Sequence, residues 1–424
     1  MNYSGWTVVL GVSLAIASGS WADWSQFRGP GGNAVTEDAA PQTWSAEENL
    51  VWRAELPGLG TSSPIVVGDQ VLVTCYSGYG QSAEMPGKQE NLVRHVISVN
   101  RQDGRQQWQV TVPADTPESV YGGGNNGWHG YSSSTPVSDG THVYVFFGRS
   151  GVFAFDLQGQ QRWRSTVGTG VTGWGSGASP VLFGDLLIVN ASVESRSLVA
   201  LDKKDGQVKW RVEGIKGCWN TPALVQIPGG RTELIVSLPE KILALDPASG
   251  KELWHCEGIP DRGYVCPSVV AQDGIVYAIG GRRNTAMAVK AGGSGDVSST
   301  HVLWTQNKGA NVSSPVFLDG YLYWVNERQG DLTCLDGKTG QVMFQERIEP
   351  RPGILYASIV AAADRLYAVS QHEGIFVFAA KPQYTLIAQN KMVDDDHRAN
   401  ASLAVDKGRI YWRNDKFLYC LGRK

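Results

Sequence analysis

Charge is scarce in this chain of 424 residues. Asp, Glu, Lys and Arg make up 18% of it, 40 acidic against 37 basic, for a net charge of −3. No Lys/Arg cluster runs beyond a couple of residues, so the phosphate-neutralising patch that nucleic-acid binding requires is missing and a nucleic-acid partner is excluded. Familiar catalytic signatures are absent as well. There is no G-x-S-x-G nucleophile elbow and no phosphate-cradling GxxxxGK[ST] loop. The six cysteines fit neither a zinc spacing nor a C-x-x-C-H haem attachment. The acidic run Asp394-Asp395-Asp396 beside His397 lacks the spaced ligands and glycine turn of a calcium loop and reads as a solvated surface turn.

The apolar stretch Trp6 to Ala17 is too short to span a bilayer comfortably. It is followed by Ser18-Gly19-Ser20-Trp21-Ala22, a small-x-Ala site, which is the pattern of a secretory signal over residues 1–22. The expected mature chain is periplasmic or secreted, without a membrane span, and monomeric. No cysteine follows the cleavage site to carry a lipid. Export makes disulfides possible. Cys256 and Cys266 bracket one loop and are the candidate pair, whereas Cys334 and Cys420 sit at matching places in apolar strands and read as buried thiols.

What is abundant points to strands and turns. Hydrophobic residues reach 42%, with 51 Gly and 15 Trp, a composition that leans all-β and supplies a large core. Aligned on a Ser/Thr/Cys-Pro step before branched apolar residues, the chain repeats at Pro64, Pro136, Pro180, Pro222, Pro267 and Pro315. Two further units carry Ser358 and Ser402 at the landmark. From Pro136 onward the spacings run from 42 to 48 residues, the period of a β-propeller. Each unit opens with an apolar strand, reverses at a Gly-Asp or Asp-Gly turn, and continues with a second and a third strand. It ends in a phrase such as "LDKKDGQVKW", a tight hairpin leading into a fourth strand. The aromatic closing that phrase, Trp108, Trp163, Trp210, Trp254, Trp304 or Phe344, reads as a wedge between neighbouring sheets at the widening rim.

The last unit has three strands, and "ENLVWRAELPG" upstream of the first unit is a lone strand with Trp52 in the rim position. The sequence therefore predicts an all-β, eight-bladed propeller of four-stranded antiparallel blades over residues 48–424, its ring closed by the N-terminal strand so that no sheet edge is left open. Residues 23–47 are expected to be an extended segment. The first unit is longer than the rest, 72 residues between Pro64 and Pro136, because of two long polar and glycine-rich loops suited to recognition.

These repeats resemble the PQQ-like (pyrroloquinoline quinone) propeller family over nearly all of the mature chain. The resemblance is carried by the A/L-x-D-x-x-x-G-x-x-x-W phrases ending at Trp210 and Trp254, the variant ending at Phe344, the "SPV" strand openings, and "WSQFRGP" from Trp24 to Pro30. It implies a fold and leaves function open. In the quinoprotein alcohol dehydrogenase branch, PQQ lies on the axis with Ca²⁺ between a Trp and a disulfide of adjacent cysteines. This sequence has no Cys-Cys pair. The other branch, the outer-membrane assembly propeller, binds protein without a cofactor.

A site would be built from the loops that enter the innermost strands, which gather around the axis on one face. Those slots hold Trp128, His129 and Tyr131, then Trp174, then Trp219 and Asn220. They continue with Arg262 and Tyr264, Asn311, Tyr356, and finally Arg398 and Asn400. Such a funnel could stack a flat ring or a sugar and hydrogen-bond its edges. The leading expectation is a non-catalytic binding or scaffold module for a protein or polysaccharide partner, with no cofactor or metal. The alternatives are a dehydrogenase using PQQ and Ca²⁺ on an alcohol or sugar, and a carbohydrate-binding propeller.

Overall fold

The computed structural model describes residues 24–122, 126–261 and 263–423. The expected signal segment, 1–22, lies outside the described residues. Among those described, no helix is long and apolar enough to cross a membrane.

The chain forms eight sheets arranged as blades, each a meander with its first strand at the axis. The third blade is typical: Val181–Phe183, Leu186–Ala191, Ser197–Asp202 and Val208–Glu213, paired antiparallel in that order. The two middle strands are apolar and buried along nearly their whole length, because each is covered on both faces by neighbouring blades. The core accordingly lies between sheets. One cluster joins Tyr144 and Phe146 of the second blade to Leu187 and Val189 of the third, and the next joins Ile188 of the third to Leu234 of the fourth.

The ring closes as the sequence predicts. Leu50–Glu55 pairs antiparallel with Phe417–Leu421 as the outermost strand of the last blade. Two blades gain a fifth strand by parallel pairing, Val35–Thr36 on Val360–Ala362 and Gly295–Asp296 on Glu252–Glu257.

At the axis the blades are linked by a relay of hydroxyls. The backbone N–H of Ser63 donates to Thr135 Oγ1 at 2.9 Å. The relay continues from Thr135 to Ser179, Ser179 to Thr221, Thr221 to Ser268, Ser268 to Ser314, Ser314 to Ser358 and Ser358 to Ser402, at 2.9 to 3.1 Å. The repeat is thus in register on the hydroxyl and not on the proline. Ser268 stands after Pro267, and Ser358 and Ser402 replace the Ser or Thr of the other units, so the proline alignment is displaced in those three blades.

The rim is held differently. In every blade the pairing of third and fourth strands slips by one residue, in seven of them beside the rim aromatic, for example between Ala200 and Leu201 opposite Trp210, and in the remaining one beside Ala388. Such a bulge adds twist and re-aims a side chain. The indole N–H groups of Trp52, Trp108, Trp163, Trp210 and Trp304 donate to Arg101, Leu157, Lys203, Pro247 and Gly337 carbonyls in the next blade at 2.8 to 3.1 Å. Each of these indoles covers a glycine of the neighbour's hairpin: Gly104, Gly159, Gly206, Gly250 and Gly340 in turn. The repeated phrase is a socket followed by a plug. Trp254 departs from the pattern, its indole donating to buried Glu233 at 2.7 Å.

Residues 24–47 run under the ring at the end opposite the funnel. Trp24 and Ser25 carbonyls accept the N–H groups of Val66 and Ser138, and Ala34 and Thr36 carbonyls accept from Ala361 and Ala363. Buried Arg28 reaches the Pro315 carbonyl, and Asn33 bonds Ala271. The "WSQFRGP" segment is a plug across the inner strands.

Two outcomes follow from these contacts. A Cβ on Gly206, where φ is +74°, would lie 2.6 Å from the Trp163 ring, whereas at Gly184, φ +56°, it would meet nothing within 4 Å. Gly206→Ala should therefore cost about 3 kcal/mol and Gly184→Ala only about 1 kcal/mol in denaturant unfolding, and equal costs would mean that the socket does not bear on stability. Deleting residues 48–58 removes the closing strand and should lower the thermal midpoint sharply. A midpoint unchanged by the deletion would show that closure is not needed.

Candidate functional site

The loops entering the inner strands and those joining second to third strands open on the same face, and they enclose an axial funnel of about 430 Å³. Its walls carry Trp128, His129, Trp174, Trp219, Tyr264, Asn311, Tyr356 and Asn400, all anticipated from the sequence. The hydroxyl relay forms a collar beneath them, and Phe27 of the N-terminal plug contributes to the lining.

The aromatic rings support each other. Tyr264 lies 6.3 Å from Trp174 at 29° and meets Trp219 edge-on at 6.4 Å, while Trp128 meets Tyr356 edge-on at 5.6 Å. Trp219 Nε1 donates to the Gly175 carbonyl at 2.8 Å, fixing the indole beneath the Trp174 loop. Asn400 Nδ2 donates to the Trp128 carbonyl at 2.6 Å, and Asn311 Nδ2 to the Tyr264 hydroxyl at 2.6 Å. The Asn311 Oδ1 has no donor.

His129 is positioned as a strut. Its Nε2 faces the Trp174 carbonyl, an acceptor only, so that nitrogen carries the proton and Nδ1 accepts from Ser133 Oγ. Burial, with Arg398 nearby, lowers its pKa to about 4 against the contrary pull of the Trp174 carbonyl, so the imidazole stays neutral near pH 7. Behind the same loop, the buried Glu194 carboxyl accepts from Ser176 Oγ through one oxygen while the other has no partner. Burial raises its pKa to about 7 despite the Ser176 hydrogen bond, with Glu118 adding to the rise and Arg94 opposing it.

Three predicted residues stand elsewhere. Tyr131 is buried under the long first-unit loops, edge-on to Tyr76 at 5.3 Å, its hydroxyl donating to the Ser119 carbonyl at 2.7 Å. Asn220 is buried and donates to the Ser237 carbonyl at 2.7 Å, pinning a strand end. Arg398 pairs with Asp415 at 3.0 Å and the Gly127 carbonyl at 2.6 Å, bracing the turn before Trp128 from outside the wall. Arg262 lies outside the described residues. The Cys256–Cys266 disulfide is not formed, and all six cysteines are free thiols. Cys256 belongs to an outer strand and packs between blades, whereas Cys266 lines the funnel. The loop between them crosses the radius of the ring, so nearness in sequence is not nearness in space. Burial pushes the Cys266 thiol up to about 12, which leaves it protonated.

The sequence reading omitted Arg282, Glu327 and Arg328, which reach the funnel from loops joining second and third strands, and Phe27 from the plug. The "GGRRN" and "NERQG" turns were a usable signal, since those loops open on the same face. Among the described residues, no group of three or more His, Cys, Asp or Glu side chains is placed to hold a metal. The funnel's carboxylate, Glu327, is buried and accepts the Asn311 N–H at 3.0 Å, with Arg328 next in the chain. That donor set does not fit Ca²⁺, which takes six to eight oxygens, so the residues present do not match a PQQ–Ca²⁺ pair.

A family model described as outer membrane protein assembly factor BamB matches residues 30–173 and 93–346. The match spans more than half of the chain, which belongs to this family of PQQ-like propellers. BamB of Burkholderia pseudomallei (strain K96243) is 22% identical over 387 residues, 77% of this chain and 87% of that protein. Among solved structures, BamB from Moraxella catarrhalis superposes with a TM-score of 0.60 at 14% identity, over 88% of this chain and 97% of that one. A europium-containing methanol dehydrogenase superposes at 0.63 with 10% identity, over 95% and 98%. At such identities these superpositions establish the shared fold alone.

The two titrations give opposite pH slopes. Glu194 is neutral in the fold up to about pH 7 but ionises near its ordinary 4.5 when unfolded, so its contribution is full below 4.5 and is lost as pH rises to about 7. His129 resists protonation down to about pH 4, and its contribution is lost as pH falls from its ordinary 6.5. Glu194→Gln should therefore raise stability relative to wild type at pH 8 and not at pH 4. Denaturant titrations at both pH values check this, and an equal effect at each would contradict the shift.

Proposed function

We propose that this propeller is a non-catalytic binding and scaffold module that recognises its partner with the funnel-bearing face. The observation that carries the reading is the distribution of exposed apolar side chains. Val208, Leu303, Met343 and Ile387 lie on outermost strands at the rim, whereas the exposed apolar residues on loops, Met85, Val120, Val171, Trp174 and Val393, all project from that face, around a funnel whose histidine is tied into the wall on both nitrogens. Membership in the BamB family supports a protein partner, consistent with a ring that is rigid and with recognition on its loops. The opposite face is occupied at its centre by the N-terminal plug.

The test is photo-crosslinking in the native host, with a photoreactive residue at Val120, Trp174 or Val393 and, for comparison, at Asp205, Ala248 or Thr339 in the hairpins of the opposite face. Adducts to one discrete partner should form from the first set only. Equal labelling from both sets would overturn the assignment of the recognition face.

A further inference from the structure

The funnel's polar groups are unevenly distributed. Arg282 and Arg328 come from adjacent blades and line the same cavity, both exposed. Among the described residues, neither guanidinium donates a hydrogen bond or pairs with a carboxylate. Arg282 is nevertheless oriented, since its Cζ lies 5.1 Å over the Tyr264 ring, whose hydroxyl is held by Asn311. Stacking on one face of a guanidinium leaves its in-plane N–H fork free, the geometry that takes a carboxylate through two parallel hydrogen bonds. Two carboxylates lie near the pair, Glu327 accepting the Asn311 N–H and Asp261 accepting the backbone N–H groups of Gly263 and Arg282, and among the described residues neither is ion-paired to a guanidinium, so the in-plane forks stay open. His129 adds no charge near pH 7.

Beside the arginines lie two further features of the lining. Beneath the wall, the Ser and Thr hydroxyls of the axial relay line the cavity. The wall around it is indole and phenol surface, which offers flat apolar faces without specifying a base or a metal.

We propose that the funnel takes an acidic sugar, a pyranose ring carrying one carboxylate. Its C–H face lies on the tryptophan wall, its carboxylate pairs with Arg282 and Arg328, and its ring hydroxyls face the collar of Ser and Thr hydroxyls beneath. This rests on the funnel being a recognition site, as proposed above, and it names the ligand chemistry that the cavity fits. A neutral sugar leaves the arginine forks unpaired, and a planar aromatic acid lacks the several hydroxyls of a sugar edge.

The experiment is calorimetric titration of the full mature protein with galacturonate, its neutral methyl ester, and 4-hydroxybenzoate. Galacturonate should bind, and the ester should bind at least about tenfold more weakly, the difference shrinking in high salt. Arg282→Ala and Arg328→Ala should each remove that preference, with Arg282→Lys intermediate because an ammonium cannot make the fork. Both arginines are exposed, so unchanged thermal midpoints will certify that the variants fold. Equal affinity for acid and ester, or tighter binding of 4-hydroxybenzoate, overturns the proposal, as does the absence of heat from any of the three at millimolar concentration. Face-specific crosslinks alongside that last result would leave the recognition face standing and the acidic-sugar assignment refuted.

Discussion

The hydroxyl relay around the axis is the interaction on which the rest of the structure depends. Inner strands such as Ile65–Val67 and Val316–Leu318 are three residues long, and where they begin the backbone N–H is buried with no neighbouring strand to receive it. An orphaned N–H there would cost about 1 to 3 kcal/mol, and the ring presents the same problem once per blade. A Ser or Thr at that position answers it twice, accepting from the blade before and donating to the blade after. Because each residue serves both neighbours, the relay fixes their spacing at the narrow end, and the proline that often follows is dispensable.

At the wide end the same chain needs bulk instead of short bonds. The tryptophan plug and glycine socket supply it, and the indole N–H adds direction by reaching a carbonyl of the next hairpin. The departures are local substitutions for one function. Where the fifth blade replaces its hairpin by an insertion, Gly295–Asp296 pairs on the outer strand of the fourth, and Trp254 turns inward to Glu233. Where Phe344 stands for tryptophan, Tyr384 of the next blade meets it edge-on at 6.0 Å. Blade spacing is thus held at two radii by unlike chemistry, which leaves the loops between free to vary.

Much of this was legible in the sequence because propeller constraints are local. Hairpin glycines, alternating strands and rim aromatics all recur within one unit, and the lone strand bearing Trp52 could only complete the last blade. What was illegible is what joins distant units. The relay hydroxyls hide among common Ser and Thr residues, and proline, the more visible partner, drew the alignment off by a residue or more in three blades. Tyr131, Asn220 and Arg398 have the right types in the right loops, yet point to carbonyls and an aspartate outside the funnel. Side-chain direction at a strand entrance turns on a single residue of register. Arg282 and Arg328 stand on loops joining second and third strands, which no strand-opening landmark marks as part of the funnel.

The N-terminal plug makes the two faces of the ring unequal. Its backbone satisfies inner-strand groups of the first, second and seventh blades, and Arg28 and Asn33 extend it to the sixth and fifth. Phe27, carried on that anchored segment, reaches the funnel lining from below. The plug crosses one end, and the loop-bearing mouth, past Trp174 and the two arginines, opens the other. If the funnel and the rim are engaged as proposed, the occupant of the cavity lies beneath whatever docks on the rim, and the two events share one face. Such sharing needs no movement of the blades. It requires only that the occupant and the rim loops share one surface.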